Sequence, residues 1–216
     1  MPEQDSQALY IVLVSVHGLI RGQNLELGRD ADTGGQTKYV VELARALAER
    51  PDVEQVDLLT RRVVDPRVSS DYAEPEEALG GKARILRIDC GPEEYVRKEE
   101  LWDHLDVFVD NALTRLRQER RLPNLIHGHS ADAAYVGIRL ARVLGLPLVQ
   151  TGHSLGRVKR RRLLATGLKR DQIESRYQMA RRIDAEEETL AAADLVVVST
   201  ASEIDEQYGL YDFYQP

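Results

Sequence analysis

Short runs of apolar and β-branched residues alternate along the chain with longer stretches where apolar positions recur every three or four residues. The extended runs fall at residues 9–16, 54–60, 83–88, 124–127, 147–151 and 195–199. The helical patterns fall at 35–49, 99–119, 131–144 and 172–192, with a shorter one near 155–165. Leu101, Leu105, Phe108, Val109, Ala112, Leu113 and Leu116 show the spacing of a core-facing helical stripe. Turn residues punctuate the elements at Pro51-Asp52, Gly80-Gly81, Gly145 and Asp194. Strand alternating with helix predicts an α/β fold, a doubly wound and mainly parallel sheet in one domain over 1–216. Two segments carry no period: a polar tail at 1–8 and an acidic, Pro-containing stretch at 65–81, expected as a long surface loop.

In such a sheet, ligands bind beyond the carboxyl ends of the strands. Four polar segments are predicted at that edge: 17–36, 89–98, 129–132 and 152–156. The first is the most informative, because Gly34-Gly35-Gln36 opens a helix directly after a loop. Two glycines there let a ligand approach the backbone, and the first-turn N–H groups favour an anion. The spacing matches neither the dinucleotide fingerprint G-x-G-x-x-G nor a P-loop.

The other segments offer candidates of unequal specificity. His153, between Gly152 and Ser154 at a strand end, is placed to bond a sugar hydroxyl or phosphate oxygen; alternatively Ser154 or Thr151 caps the next helix and His153 fills the turn. Arg157, Lys159 and Arg160 to Arg162 cannot all face one ligand, so Arg157 or Lys159 is expected at phosphate and the rest in solvent. Arg181 and Arg182 lie mid-helix, where Arg182 and Glu186 form an ordinary i,i+4 pair. Lys98 reads by default as a surface lysine. Asp132 either serves a helix N-terminus or binds sugar hydroxyls. His127 and His129 share a strand face, yet no third ligand or cysteine accompanies them, so no metal site is expected. Trp102 and Phe108 read as core or rim aromatics.

Composition narrows the class. The 216 residues carry a net charge of −7, with 30% charged and 43% hydrophobic residues, a soluble balance that gives no support for nucleic-acid binding. Cys90 is the single cysteine, which excludes an intrachain disulfide and fits a reducing cytoplasm. The first residues are too polar for a signal peptide, and no apolar run approaches the roughly 20 residues that span a bilayer. A cytoplasmic protein without membrane partners is expected.

Five blocks in order, HGLIRGQNLELGRDADTGGQTKYVVELARAL, CGPEEYVRKEELW, HGHSADA, TGHSLGRVK and ARRIDAEEETLAAAD, closely resemble the sucrose-phosphate synthases. These are retaining glycosyltransferases of family 4, built of two Rossmann-like domains in the GT-B arrangement. The resemblance implies glucosyl transfer from UDP-glucose to fructose 6-phosphate, giving sucrose 6-phosphate and UDP, with no cofactor or metal required. Carried over by position, Gly34, Gly35 and His153 would meet the donor and reacting centre, with His153 and Gly35 in the catalytic role. Gln36, Lys98, Asp132, Lys159, Arg181 and Arg182 would hold the acceptor. Lysines and arginines from separate loops can clamp one dianion, which fits local basic charge in an acidic chain. The chain stops near where such enzymes enter their second, nucleotide-binding domain, so it is expected to be the acceptor-binding N-terminal half, inactive alone. Two alternatives are a sucrose synthase using free fructose and a stand-alone sugar-phosphate-binding module.

Overall fold

A computed structural model describes residues 8–214. The tail predicted at 1–8 thus lies almost wholly outside the described residues. Seven strands form one sheet: β1 (Leu9–Val14), β2 (Val53–Arg61), β3 (Glu76–Gly80), β4 (Ala83–Ile88), β5 (Leu125–His129), β6 (Leu148–Thr151) and β7 (Leu195–Val196). Their order is β3-β4-β2-β1-β5-β6-β7, and every pairing is parallel except β3 with β4. The helices are α1 (Gly35–Ala48), α2 (Leu105–Arg117), α3 (Ala131–Leu144), α4 (Gly156–Ala165), α5 (Arg170–Tyr177) and α6 (Met179–Leu190). The doubly wound, mainly parallel sheet agrees with the strand–helix alternation of the sequence.

Strand β1 shows how the period of two distributes the core. Tyr10, Val12 and Val14 join Phe108, Ala112 and Leu116 of α2 and Val136 and Leu140 of α3. Ile11 and Leu13 face the opposite layer with Val40, Val41 and Ala44 of α1. A strand buried on both faces reads as a continuous apolar run. Strand order reverses between β1 and β5, whose partners lie on opposite sides. That reversal opens a crevice at the carboxyl ends of β1 and β5.

Three elements depart from the sequence pattern. The stretch 65–81, expected as an unstructured loop, holds a 3₁₀ turn at Ser70–Ala73 and the edge strand β3. Gly80 and Gly81, both at positive φ (98° and 57°), make its hairpin turn into β4. The helix expected at 99–119 begins as two 3₁₀ turns before α2. The stripe from Leu101 is nevertheless buried, because its residues keep the same spacing around the turns.

The third departure bears on function. The pattern at 172–192 is cut at Gln178, which takes the left-handed conformation (φ 44°) and caps both α5 and α6. Its side-chain amide donates to the Glu99 carbonyl, tying the break to the segment that carries Lys98. In one continuous helix Tyr177 and Arg182 would point roughly 140° apart. The break lets both line one cavity.

Candidate acceptor site at the switch point

The cavity has a volume of about 250 Å³ and lies at the crevice between the ends of β1 and β5. His17 follows β1, Gln36 opens α1, and Ser130 and Asp132 follow β5. Ser154 and Lys159 come from the segment after β6, Lys98 and Trp102 from that before α2, and Tyr177 and Arg182 from the broken helix pair. The loop that leads into α1 is folded over Gly18, whose φ is 85°. A Cβ there would lie 2.6 Å from the Asp32 carbonyl, so this loop fits only against glycine. Asp30 Oδ1 accepts from the N–H groups of Asp32 and Thr33, 2.8 Å each.

Asp32 then faces the cation expected at the acceptor. One of its oxygens accepts the Lys98 backbone N–H at 2.9 Å, and the other pairs with the ammonium. Burial opposes its charge, but these Lys98 contacts hold the Asp32 carboxyl below its usual range. Lys98 is therefore an anchored group rather than a free surface lysine. Lys159 has looser company, with Glu99 4.0 Å away and its ammonium 4.5 Å from the centre of the Tyr177 ring. Burial lowers its pKa, and the neighbouring cations Lys98 and Arg182 lower it further.

Arg182 is buried, contrary to its reading as an ordinary surface pair. Its Nε lies 3.1 Å from Glu186, and a terminal nitrogen donates to the Ser154 carbonyl. Glu186 also accepts from the Gly156 N–H at 2.9 and 3.1 Å and from the Tyr211 hydroxyl. Burial raises the Glu186 pKa despite these partners. The network fixes the start of α4 and, through it, the turn that carries His153.

That turn is strained. Ser154 N–H donates to the Gly152 carbonyl at 2.6 Å, with His153 between them at φ 56°. Ser130, at φ 78° and ψ 174°, occupies a region that side-chain-bearing residues rarely enter. Such backbone persists only where its surroundings over-determine it, and both residues stand at the crevice. The Tyr208 hydroxyl accepts the Gly152 N–H at 3.0 Å, and Arg157 N–H donates to Tyr211 at 3.0 Å on the far side of the turn. A Cβ at Gly152 would lie 2.6 Å from both Tyr208 Oη and Leu155 Cδ2. Gly152→Ala is therefore expected to displace the turn and destabilise the fold by about 1–3 kcal/mol, read as a lowered urea midpoint. An unchanged midpoint would show that the tyrosine does not clasp this turn.

The predicted residues divide cleanly. Gln36, Lys98, Asp132, Lys159 and Arg182 line the cavity. Gly34, Gly35 and His153 lie beside it, and the two glycines have open space where a Cβ would stand. No side chain caps α1 at Gly34. Arg181 is a correction: exposed, it pairs with Asp103 at 2.6 Å and the Trp102 carbonyl at 3.3 Å, on the outer face of α6. Arg157 is a second, because it pairs with Glu187 and, at 3.0 Å, with Asp212. The cap alternative for Ser154 and Thr151 does not hold either, since Leu155 is the N-cap of α4 and caps it with no side chain. Asp132 turns one oxygen to His17, 3.1 Å from its N–H and 2.8 Å from its Nδ1. Its other oxygen is buried without a partner among the described residues, an acceptor suited to a hydroxyl.

Asp32 and His17 were not singled out in the sequence, and Glu186 figured there only as a helix partner of Arg182. His17 alone had a signal, as the first polar residue after the β1 apolar run. The other two are acids whose importance comes from folding partners 66 and 30 residues distant.

The family model of the sucrose synthase first GT-B domain matches residues 6–215. The chain belongs to that family. It is 49% identical over 236 residues to a probable sucrose-phosphate synthase 1 of Oryza sativa subsp. indica and 48% identical over 236 residues to the sucrose-phosphate synthase of Zea mays. Each alignment covers 97% of this chain and 22% of the relative, so the chain spans about a fifth of their length. Among solved structures it resembles a sucrose-phosphate synthase of Thermosynechococcus elongatus, with TM-score 0.74 and 26% identity. That likeness covers 96% of this chain and 46% of the other. Among the described residues no helix is long and apolar enough to cross a membrane.

Proposed function

We propose that this chain forms the acceptor-binding half of a sucrose-phosphate synthase, in which glucose passes from UDP-glucose to fructose 6-phosphate. The observation that carries the reading is the convergence of Lys98, Lys159 and Arg182, from three separate segments, on one cavity. Burial first, and then the nearby Lys98 and Arg182, lower the pKa of Lys159; a phosphate dianion would offset both with charge-assisted bonds. Asp132 and Gln36, which line the same cavity, suit the sugar hydroxyls. The uncapped start of α1 at Gly34-Gly35 suits the donor diphosphate, with His153 beside the transferred sugar. The nucleotide pocket belongs to a second domain that closes on this one, and the reaction needs no metal or cofactor. The family context and the sugar-phosphate chemistry fit a cytoplasmic enzyme.

Free fructose would bring no charge to three converging cations, of which Lys159 has only a distant carboxylate at 4.0 Å, so the phosphate ester is the favoured acceptor. Lys98→Ala and Lys159→Ala are each expected to weaken fructose 6-phosphate binding roughly tenfold to a hundredfold, with little effect on fructose. Calorimetry on this chain with both sugars reads the difference, and equal affinities would overturn the phosphate assignment. The chain alone should transfer no glucose, because one wall of a two-domain cleft cannot stabilise the transition state. Turnover of UDP-glucose by the isolated chain would refute the half-site reading.

A further inference from the structure

Three histidine rings stand in a row at the carboxyl ends of β5 and β6, and the acceptor reading uses only the last. The rings of His127 and His129 are 4.1 Å apart between centroids, and those of His129 and His153 are 5.3 Å apart. His129 is wholly buried. Its Nδ1 lies 3.0 Å from Nε2 of His153, while its own Nε2 is buried without a partner among the described residues. His127 is engaged elsewhere, with Nε2 2.8 Å from the Thr151 hydroxyl. Tyr39 of α1 packs on both remaining rings, its centroid 5.9 Å from His129 and 5.0 Å from His153.

One proton lies between the two facing nitrogens, and its owner decides what His153 offers the cleft. Both rings are neutral at pH 7: burial pushes His129 well below the usual imidazole range, and desolvation of the ring, with His17 nearby, lowers His153 to about 4. Were His153 to donate from Nε2, His129 would carry its own proton on Nε2, an N–H buried with no acceptor. With His129 donating from Nδ1, its Nε2 is left as a lone pair. Buried orphan donors are rarer than under-used acceptors. We infer that His129 is a positioning residue that donates from Nδ1 to His153 and thereby keeps the His153 proton on Nδ1.

His153 Nδ1 bonds nothing among the described residues, so its N–H is free to donate to a sugar or diphosphate oxygen. The strained turn at His153 fixes the backbone, and the ring bond fixes the tautomer, two constraints on one donor. The use of this donor rests on the glucosyl-transfer reading. The tautomer itself does not.

Nitrogen-15 spectra of the histidine rings in this chain at pH 7 test the inference directly. His153 is expected as the Nδ1–H tautomer, and His129→Phe is expected to return it toward the Nε2–H form that free imidazole favours. A His153 proton on Nε2 in the unsubstituted chain overturns the assignment, whether or not the variant folds. His129→Gln, which can still donate, is expected to keep the Nδ1–H form, and its loss there would also count against the inference. In the enzyme with both domains, His129→Phe should lower kcat at least tenfold with the KM for fructose 6-phosphate unchanged. The Nδ1–H form together with no transferase activity in the unsubstituted enzyme would sink the transferase reading and leave the positioning of His153 intact.

Discussion

Arg182→Ala is expected to remove about 3–5 kcal/mol of stability and, in the same protein, measurable sugar-phosphate binding. Arg182 is 9% exposed, and Glu186 beside it is 6% exposed. Removing one member of a buried pair strands the other, and Glu186 would keep only the Gly156 N–H and the Tyr211 hydroxyl. Burial already raises its pKa with the arginine present, so in the variant the carboxyl rises further. A raised folded pKa favours the fold below the unfolded value, and that advantage is lost as pH rises through the folded one. The defect should therefore be larger at pH 7 than at pH 5, when both are measured by urea unfolding against the parent at the same pH. Arg181→Ala supplies the contrast. Its partner Asp103 is exposed, and solvent screens such a pair, so little stability is lost with it. Equal losses from the two neighbours would mean that α6 does not present Arg182 inward.

That contrast also marks what the sequence could and could not disclose. The layered sheet was readable because β1, β2 and β4 bury apolar residues on both faces, and the helices keep their period. Lys98, Lys159 and Arg182 were reachable through the family blocks that contain them. The choice between Arg181 and Arg182 was not, because it depends on the phase of α6, reset at Gln178. Nothing local announces that break, since a glutamine in the left-handed region has neither the freedom of glycine nor the signature of proline. Its partner is the Glu99 carbonyl, 79 residues away. The edge strand β3 was missed for a different reason. Glu76 to Gly80 show no alternation, and the strand exists because β4 offers a ladder and two glycines close the hairpin. Asp32 likewise becomes visible only when the loop folds over Gly18 onto Lys98.

Acid is expected to destabilise the chain in two separate windows, the upper of which belongs to the histidine row. Burial lowers His127 to about 4, with His153 nearby adding to the effect, whereas an unfolded histidine titrates near 6.5. A depressed folded pKa means that the unfolded chain binds the proton first. Stability is therefore full above about 6.5 and falls as pH drops toward the folded value. For His127 alone the loss between pH 7 and 4.5 is roughly 2–3 kcal/mol. His129 acts in the same direction, while exposed His153 contributes less because solvent screens it. The carboxylates behave differently. Asp132 and Asp32, both held below their ordinary range by their partners, surrender their stabilisation only below about pH 4. Urea midpoints between pH 7 and 4.5 thus read the imidazoles apart from these two aspartates, with Glu186 acting in the opposite direction because its pKa is raised. His127→Gln, which retains a polar partner for Thr151, should flatten the upper window and leave the lower one unchanged. The same slope in parent and variant would mean that His127 protonates without leaving the fold, and that the row is not kept neutral by burial. A neutral row is what the cleft chemistry requires, since a cationic His153 would carry a proton on each ring nitrogen and could not accept the bond from His129.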